Sequence, residues 1–475
     1  MGVDALQSGV CGVVLIGRYP NMAFKRTDFV LDFVLKSDAC TNGDMHCNQA
    51  NGNGEDSDFN NWRRNTIFIG LRTDNTFGDE YTNLQPVIAL LKNTVFFVFL
   101  VCGMPLFAQV QPGAHQTQKY LPLLVDMKVA VVGNQSSQVL TNDKRIHLVD
   151  HLQSQGVNIK KVFAPEHGFR GKEDAGASIS DEIDSKTGIP IVSLHGKYRK
   201  PSAEQLADID ILVFDIQDVG VRFFTYLSTL HLVMEACADA KVPVIILDRP
   251  NPNAHYVDGP MMEEENQSFL GKVPIPLVYG MTIGEYAKML VGEGWLDTKN
   301  KLSLQVIPIA NYTHQTAYEL PVRPSPNLPN AQSVMLYPSL GLFEGTPINA
   351  GRGTSHPFQQ FGASFLDATH FKHRYTPTPK SGASNPKEKE KECYGFDLRN
   401  HPKLDRINID WMIQAYRNSY EPEQFFLDPG FRRHAGTTSL QLQIEKGMSA
   451  SEIRDSWQSD IQNFLKIREQ YLIYP

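Results

Sequence analysis

The pattern of apolar and polar positions changes character twice along this chain. Up to about residue 85 neither the helical nor the strand period is visible, and residues 41–58 are a run rich in Asn, Gly, Asp and Glu. From 128 to 248 short apolar runs alternate with helix-length segments. Residues 128–132, 160–164, 189–194, 209–214 and 242–247 read as strands. Residues 143–155, with Ile146, Val149 and Leu152 on one face, and 226–240, with Leu227, Leu230, Met234 and Ala238, read as helices. This alternation predicts an α/β fold with parallel strands covered by helices on both faces.

Beyond 248 the pattern loosens. Residues 258–276 look like a linker, and Thr282-Ile283-Gly284-Glu285 forms a capping box opening a helix through Leu290 and Trp295. Residues 301–435 are rich in Pro, Gly and aromatics, which predicts a second, smaller mixed α/β domain whose loops pack over the first. Residues 380–392 read as an exposed loop, 439–444 as a strand, and 449–452 as the cap of a final helix carrying Ile453, Trp457, Ile461 and Phe464. The expected domains are 119–280 and 281–475.

The segment preceding the α/β region has a different logic. Lys92 stands just before the apolar run 95–102, followed by Gly103-Met104-Pro105 and by Ala108 ahead of polar Gln109. This is the order of a signal peptide, 91–108, with cleavage after Ala108, and the run is short of the about 20 apolar residues a membrane span takes. Residues 1–90 are accordingly expected to lie upstream of the natural start; a genuine extension with an internal anchor is the alternative. Four of the six cysteines precede Ala108, leaving Cys237 and Cys393, too few for a disulfide framework or a metal cluster. Cys237 shares a helix face with Leu230 and Met234 and reads as a buried thiol.

Composition narrows the partners. At 475 residues with 41% hydrophobic content there is ample material for a large core. A formal charge of -7 and a pI near 6.1 carry no basic footprint for nucleic acid.

The candidate chemistry sits at strand ends. Asn134 follows the first strand, Glu166 and His167 the second, Asp215 and Asp218 the fourth, and Asp248, Arg249 and Asn251 the fifth. Open parallel sheets bind ligands beyond those ends, although each residue alone could be a cap or turn former. Glu166, between Pro165 and Gly168, is held on a constrained backbone as a catalytic acid requires; Phe169 would raise its pKa by desolvation, while His167 and Arg170 would oppose that if they face it.

Glu344, close to Gly351-Arg352-Gly353, is a second carboxylate, either catalytic or bonded to loop amides. Glycoside hydrolysis pairs two carboxylates about 5 Å apart for retention and wider for inversion. Asp215 and Asp218 could bind sugar hydroxyls, hold a cation or cap a helix, and Arg249 could take a ligand carboxylate or pair with Asp248 or Asp215. There is no HExxH pattern, and Gly133-Asn134-Gln135-Ser136-Ser137 lacks both nucleotide-loop patterns.

Many ordered motifs carry a resemblance. They are FAPEHGFRG (163–171), DAG (174–176), TGIPIVSLHG (187–196), FDIQDVGVRFFTYLSTL (214–230), LDRPNPN (247–253), YGMTIGE (279–285), PSPNLP (324–329), LFEGT with GRGT, and the closing YLIYP. Over roughly 128–475 the chain resembles the exo-β-N-acetylmuramidase family, long catalogued as a domain of unknown function. The resemblance implies a Rossmann-like domain plus a smaller one, a cleft at their interface, and release of N-acetylmuramic acid from non-reducing ends of peptidoglycan fragments without a cofactor. It makes Glu166 the acid and Glu344 the second catalytic candidate. Asn134, His167, Arg170, Asp215, Gln217, Asp218, Arg222, Arg249, Asn251, Asn327 and Arg352 become substrate-binding candidates, with Arg249 suited to the lactyl carboxylate. One departure is Ala254-His255 where the family has glycine after RPNPN. The expected location is the periplasm or the exterior. Two competing readings are a metal-dependent hydrolase using Glu166, His167 and the strand-end aspartates, and a noncatalytic muropeptide-binding protein.

Overall fold

The computed structural model describes residues 31–33, 69–71, 109–141, 144–166, 168–170 and 182–475. The chain divides into two units, Met1–Phe107 and Ala108–Pro475. In the first, Leu31–Phe33 pairs antiparallel with Ile69–Leu71. The expected leader at 91–108 and the irregular run at 41–58 lie outside the described residues, as does His167.

In the second unit, the apolar runs form a seven-stranded sheet among the described residues. Its strands are β1 (Lys128–Gly133), β2 (Asn158–Ala164), β3 (Glu182–Ile183), β4 (Pro190–Ser193), β5 (Ile211–Asp215), β6 (Val244–Leu247) and β7 (Leu304–Ile307). The order is β7-β6-β5-β1-β2-β4-β3, parallel throughout except for β3 against β4. The order reverses at β1, the doubly wound arrangement that opens a crevice between the carboxyl ends of β1 and β5.

Alternation along the strands feeds two cores. Val129, Val131, Val162, Val213 and Ile245 join a cluster with Leu148, Val149 and Leu152 of helix α1 (Leu148–Ser154). Ala130, Val132, Phe163, Leu212 and Ile246 point into a larger one that runs through the carboxyl-terminal half to Phe464. Both faces are therefore buried, which is why these strands read as unbroken apolar runs.

On the larger core's side lie α2 (Ala203–Leu206), α3 (Tyr226–Ala240), α4 (Ile283–Gly292) and α5 (Ala331–Leu340). The expected capping boxes form at Thr282 and Glu285 for α4 and at Ser449 and Glu452. Pro338 inside α5 cannot donate to Val334, and the side-chain amide of Asn253 donates to that carbonyl at 3.1 Å.

Next comes an antiparallel sheet of β8 (Gln360–Ala363), β9 (His373–Tyr375) and β10 (Cys393–Asp397), in the order β8-β10-β9. Five helices follow: α6 (Asp410–Arg417), α7 (Gly430–Ala435), α8 (Ser439–Glu445), α9 (Ala450–Asp455) and α10 (Gln458–Glu469). Cys237 and Cys393 are both buried, and burial pushes each thiol up to about 12.

Four sequence expectations change. Residues 138–147 form a hairpin, and α1 starts only at Leu148, where the His147 ring accepts the Val149 N–H. The stretch 258–276 opens and closes with a paired hairpin, Asp258–Met261 with Pro276–Val278, because buried Asp258 accepts the Ile407 amide and pairs with Arg454. Residues 439–444 are helical: Leu440 and Ile444, four apart, are buried while Leu442 is exposed. The last helix is split into α9 and α10 around Trp457.

Candidate active site

Glu166 follows β2, whose end is fixed by the Leu194 N–H donating to the Ala164 carbonyl at 2.8 Å. Pro165 and Gly168 close a tight turn there, with Gly168 at φ +73°. The half-buried Glu166 carboxylate accepts from the Thr225 hydroxyl at 2.9 Å. Thr225 is the residue before α3, so the helix start aims a donor at the turn after β2.

A cluster of rings is centred on Tyr337. Tyr337 packs edge-on against Phe223 at 5.2 Å, Phe224 at 5.9 Å and Phe358 at 4.8 Å, and Phe224 packs on Tyr226 at 4.8 Å. A side chain at Gly341 would collide with the Phe223 ring, which explains a glycine at the start of the 3-10 turn Gly341–Gly345. That turn carries Glu344.

Glu344 is 23% exposed, and the Arg352 guanidinium Nε stands 3.2 Å from its Oε1. Burial pushes the Glu344 carboxyl up, but Arg352, Lys387 and His434 outweigh it and hold the group below its ordinary range. Glu344 is therefore an anion at neutral pH. Burial raises the Tyr337 phenol; Arg352 opposes this, and the charges of Glu344 and Glu166 both add to it.

Lys387 donates to the carbonyls of Phe343, Glu344 and Thr346 at 2.9, 2.9 and 2.6 Å. Its segment, expected to be solvated, buries Gly382, Ala383 and Pro386 and walls a cavity of about 280 Å³ shared with Glu344, Asn349, Ala350 and Arg352. Asn327 steadies the rim, its amide donating to the Gly382 carbonyl at 2.7 Å. Gln135, after β1, donates to the Pro324 carbonyl at 3.1 Å and ties the sheet end to the same loop.

The crevice between β1 and β5 is filled by the protein's own groups. Asn134 is buried, donating to the Tyr226 hydroxyl at 2.8 Å and accepting from Ser136. Ser137 donates to the Asp215 carbonyl, and Ser136 accepts the Gln217 amide at 3.0 Å. Asn134 and Gln217 are thus braces, the Gln217 side chain bridging the Asp218 and Pro250 carbonyls.

Several other sequence candidates are engaged by the protein's own groups in the same way. Asp215 and Arg249 are buried against each other, so neither offers charge to a ligand. Arg222, 1% exposed, spends its terminal nitrogens on the carbonyls of Pro260, Ile275, His434 and Ala435. Asn251 is buried beneath Gly220, whose φ is +78° and whose missing Cβ leaves room for it. Arg170 grips Asp184 and Asp150, and buried Phe169 packs on His147 at 4.6 Å in the smaller core. Asp248 accepts from Thr282, Gly284 and Tyr474.

Asp218 is a special case. Its Oδ2 accepts from Tyr279 and Gly220 while its buried Oδ1 has no partner among the described residues, and burial pushes the carboxyl up to about 7. Among the described residues no group of three or more His, Cys, Asp or Glu side chains could hold a metal ion, and no helix is long and apolar enough to cross a membrane.

Comparison with known proteins places the chain in a family. Models of the exo-β-N-acetylmuramidase NamZ match the chain at 129–332 for the N-terminal part and 335–474 for the C-terminal part. The chain belongs to the NamZ family. The peptidoglycan β-N-acetylmuramidase NamZ of Bacillus subtilis (strain 168) is 37% identical over 376 residues, 74% of this chain and 90% of that protein. A DUF1343 family crystal structure from Bacteroides fragilis NCTC 9343 is similar with a TM-score of 0.71 at 43% identity, covering 77% of this chain and 99% of that one. A second from the same strain has a TM-score of 0.65 at 28% identity, with the same coverages.

Within the NamZ frame, Glu166, Thr225 and the Phe223–Phe224 pair come from the N-terminal part, and Tyr337, Glu344, Arg352, Lys387 and His434 from the C-terminal part. Thr225, Tyr337, Lys387 and His434 were missed from sequence. The FFTY run inside the longest motif was the available signal for Thr225; Lys387 was masked by its Lys-Glu surroundings.

Proposed function

We propose that this protein releases N-acetylmuramic acid from the non-reducing ends of peptidoglycan fragments, with Glu166 as general acid and Glu344 as the second, ionised carboxylate. As a NamZ family member it is a glycoside hydrolase, an exo-β-N-acetylmuramidase acting on peptidoglycan. What supports the residue assignment is geometry: the half-buried Glu166 carboxylate is held by the Thr225 hydroxyl at 2.9 Å in the turn after β2, and Glu344 stands 3.2 Å from Arg352 on the lining of a cavity of about 280 Å³. Glycoside cleavage needs one carboxyl to protonate the leaving oxygen and one to meet the positive charge developing at the anomeric carbon. The cations around Glu344 keep it anionic for the second task.

Phe223, Phe224 and Phe358 are buried and back the partly exposed Tyr337 ring, against which a sugar ring can pack. The leader-like segment at 91–108 supports action in the periplasm or outside the cell. Incubation with a defined muramic acid disaccharide, followed by NMR, tests the reading: free N-acetylmuramic acid should accumulate, and Glu166→Gln should stop it. Turnover at the wild-type rate in that variant removes Glu166 from the role.

A further inference from the structure

The cavity beside Glu344 has an unbalanced charge. Its charged lining groups, among the described residues, are Glu344, Arg352 and Lys387. Glu344 is an anion and the other two are cations, so the lining carries one net positive charge that a monoanion would neutralise.

The two cations are not equally available. Lys387 has three N–H donors and gives them to three carbonyls, so none remains for a ligand. Arg352 stands with its Nε 3.2 Å from the Glu344 Oε1, and among the described residues that buried Nε completes no hydrogen bond. The side chain is 27% exposed, and its guanidinium carbon lies 5.5 Å from the centre of the Phe358 ring. The guanidinium is a planar fork beside that ring, the geometry that takes a carboxylate through two parallel bonds. The other candidate arginines are committed: Arg249 to Asp215, Arg170 to Asp184 and Asp150, and Arg222 to four carbonyls.

We propose that Arg352 is the specificity-determining residue that reads the lactyl carboxylate of the muramic acid ring, through its two terminal nitrogens in the cavity beside Glu344. This rests on the function proposed above. N-acetylglucosamine lacks the lactyl group and would leave the fork unpaired, which is how a buried polar site rejects a near-isostere.

The test is calorimetric titration of the full chain with N-acetylmuramic acid and with its neutral lactyl carboxamide. Wild type should bind the acid about tenfold to a hundredfold more tightly, as a charge-assisted pair provides. Arg352→Met should bring the ratio close to one. Arg352→Lys keeps the charge without the fork and should fall between, which also covers the case in which the methionine variant does not fold. A wild-type ratio near one, or a ratio that survives in either variant, overturns the assignment. Hydrolysis of a chromogenic muramic acid glycoside is measured in parallel. Hydrolysis with no acid preference removes Arg352 alone, whereas neither hydrolysis nor binding removes the proposed function as well.

Discussion

Arg249 clamps Asp215 with both carboxylate oxygens engaged, Nε to Oδ1 at 2.5 Å and a terminal nitrogen to Oδ2 at 2.8 Å, in a pair closed to solvent. Removing one partner of such a pair strands a buried charge at a cost of about 3–5 kcal/mol. Arg249→Met should therefore lower the urea unfolding free energy by that order, and Asp215→Leu combined with it should restore much of the loss. Unchanged stability with a raised KM would return Arg249 to the substrate.

Glu166→Gln keeps the shape and the Thr225 contact but cannot donate a carboxyl proton. Loss of a general acid costs about 10²–10⁴-fold in rate. The expected result on a muramic acid disaccharide is a fall of that size in kcat with KM changed only a few-fold. A fall confined to KM would assign Glu166 to binding.

Glu344 should stay ionised to lower pH than an ordinary glutamate, because the surrounding cations overcome its burial. Its function is lost only as pH falls through that depressed pKa, so kcat/KM should hold down to and below the ordinary value of 4.5. Arg352→Met removes the largest opposing charge and lets burial raise the group, moving the acid limb upward. An acid limb unmoved in that variant would detach the limb from Glu344.

Asp218 titrates in the opposite sense. Its folded pKa near 7 exceeds the ordinary 3.8, so the folded state binds the extra proton between those values. The stability this contributes is complete below about pH 4 and is lost as pH rises through 7. Asp218→Asn should flatten that decline, seen as a wild-type-minus-variant unfolding free energy that shrinks from pH 4 to pH 8. A difference independent of pH would show that Asp218 carries no such proton.

Much of the framework was legible in the sequence because its causes are local. The five apolar runs became parallel strands, 226–240 became α3 to the residue, and the capping boxes at Thr282 and Ser449 formed as read. The failures were also local in origin. Residues 439–444 alternate like a strand, and only the core beneath Leu440 and Ile444 selects the helix.

The site was legible as a set of residues and not as a set of roles. By itself the sequence determined that polar groups crowd the carboxyl ends of the strands and that Glu166 and Glu344 stand in glycine-bounded turns. Tertiary structure decided which groups are engaged: the Asp215 carboxylate meets Arg249 across 34 residues, the Lys387 ammonium meets the Glu344 carbonyl across 43, and the Glu166 carboxylate meets Thr225 across 59. The physical reason is that burying a charge demands a partner. Partner choice depends on which side chains the fold brings within about 3 Å, a distance that no local pattern encodes.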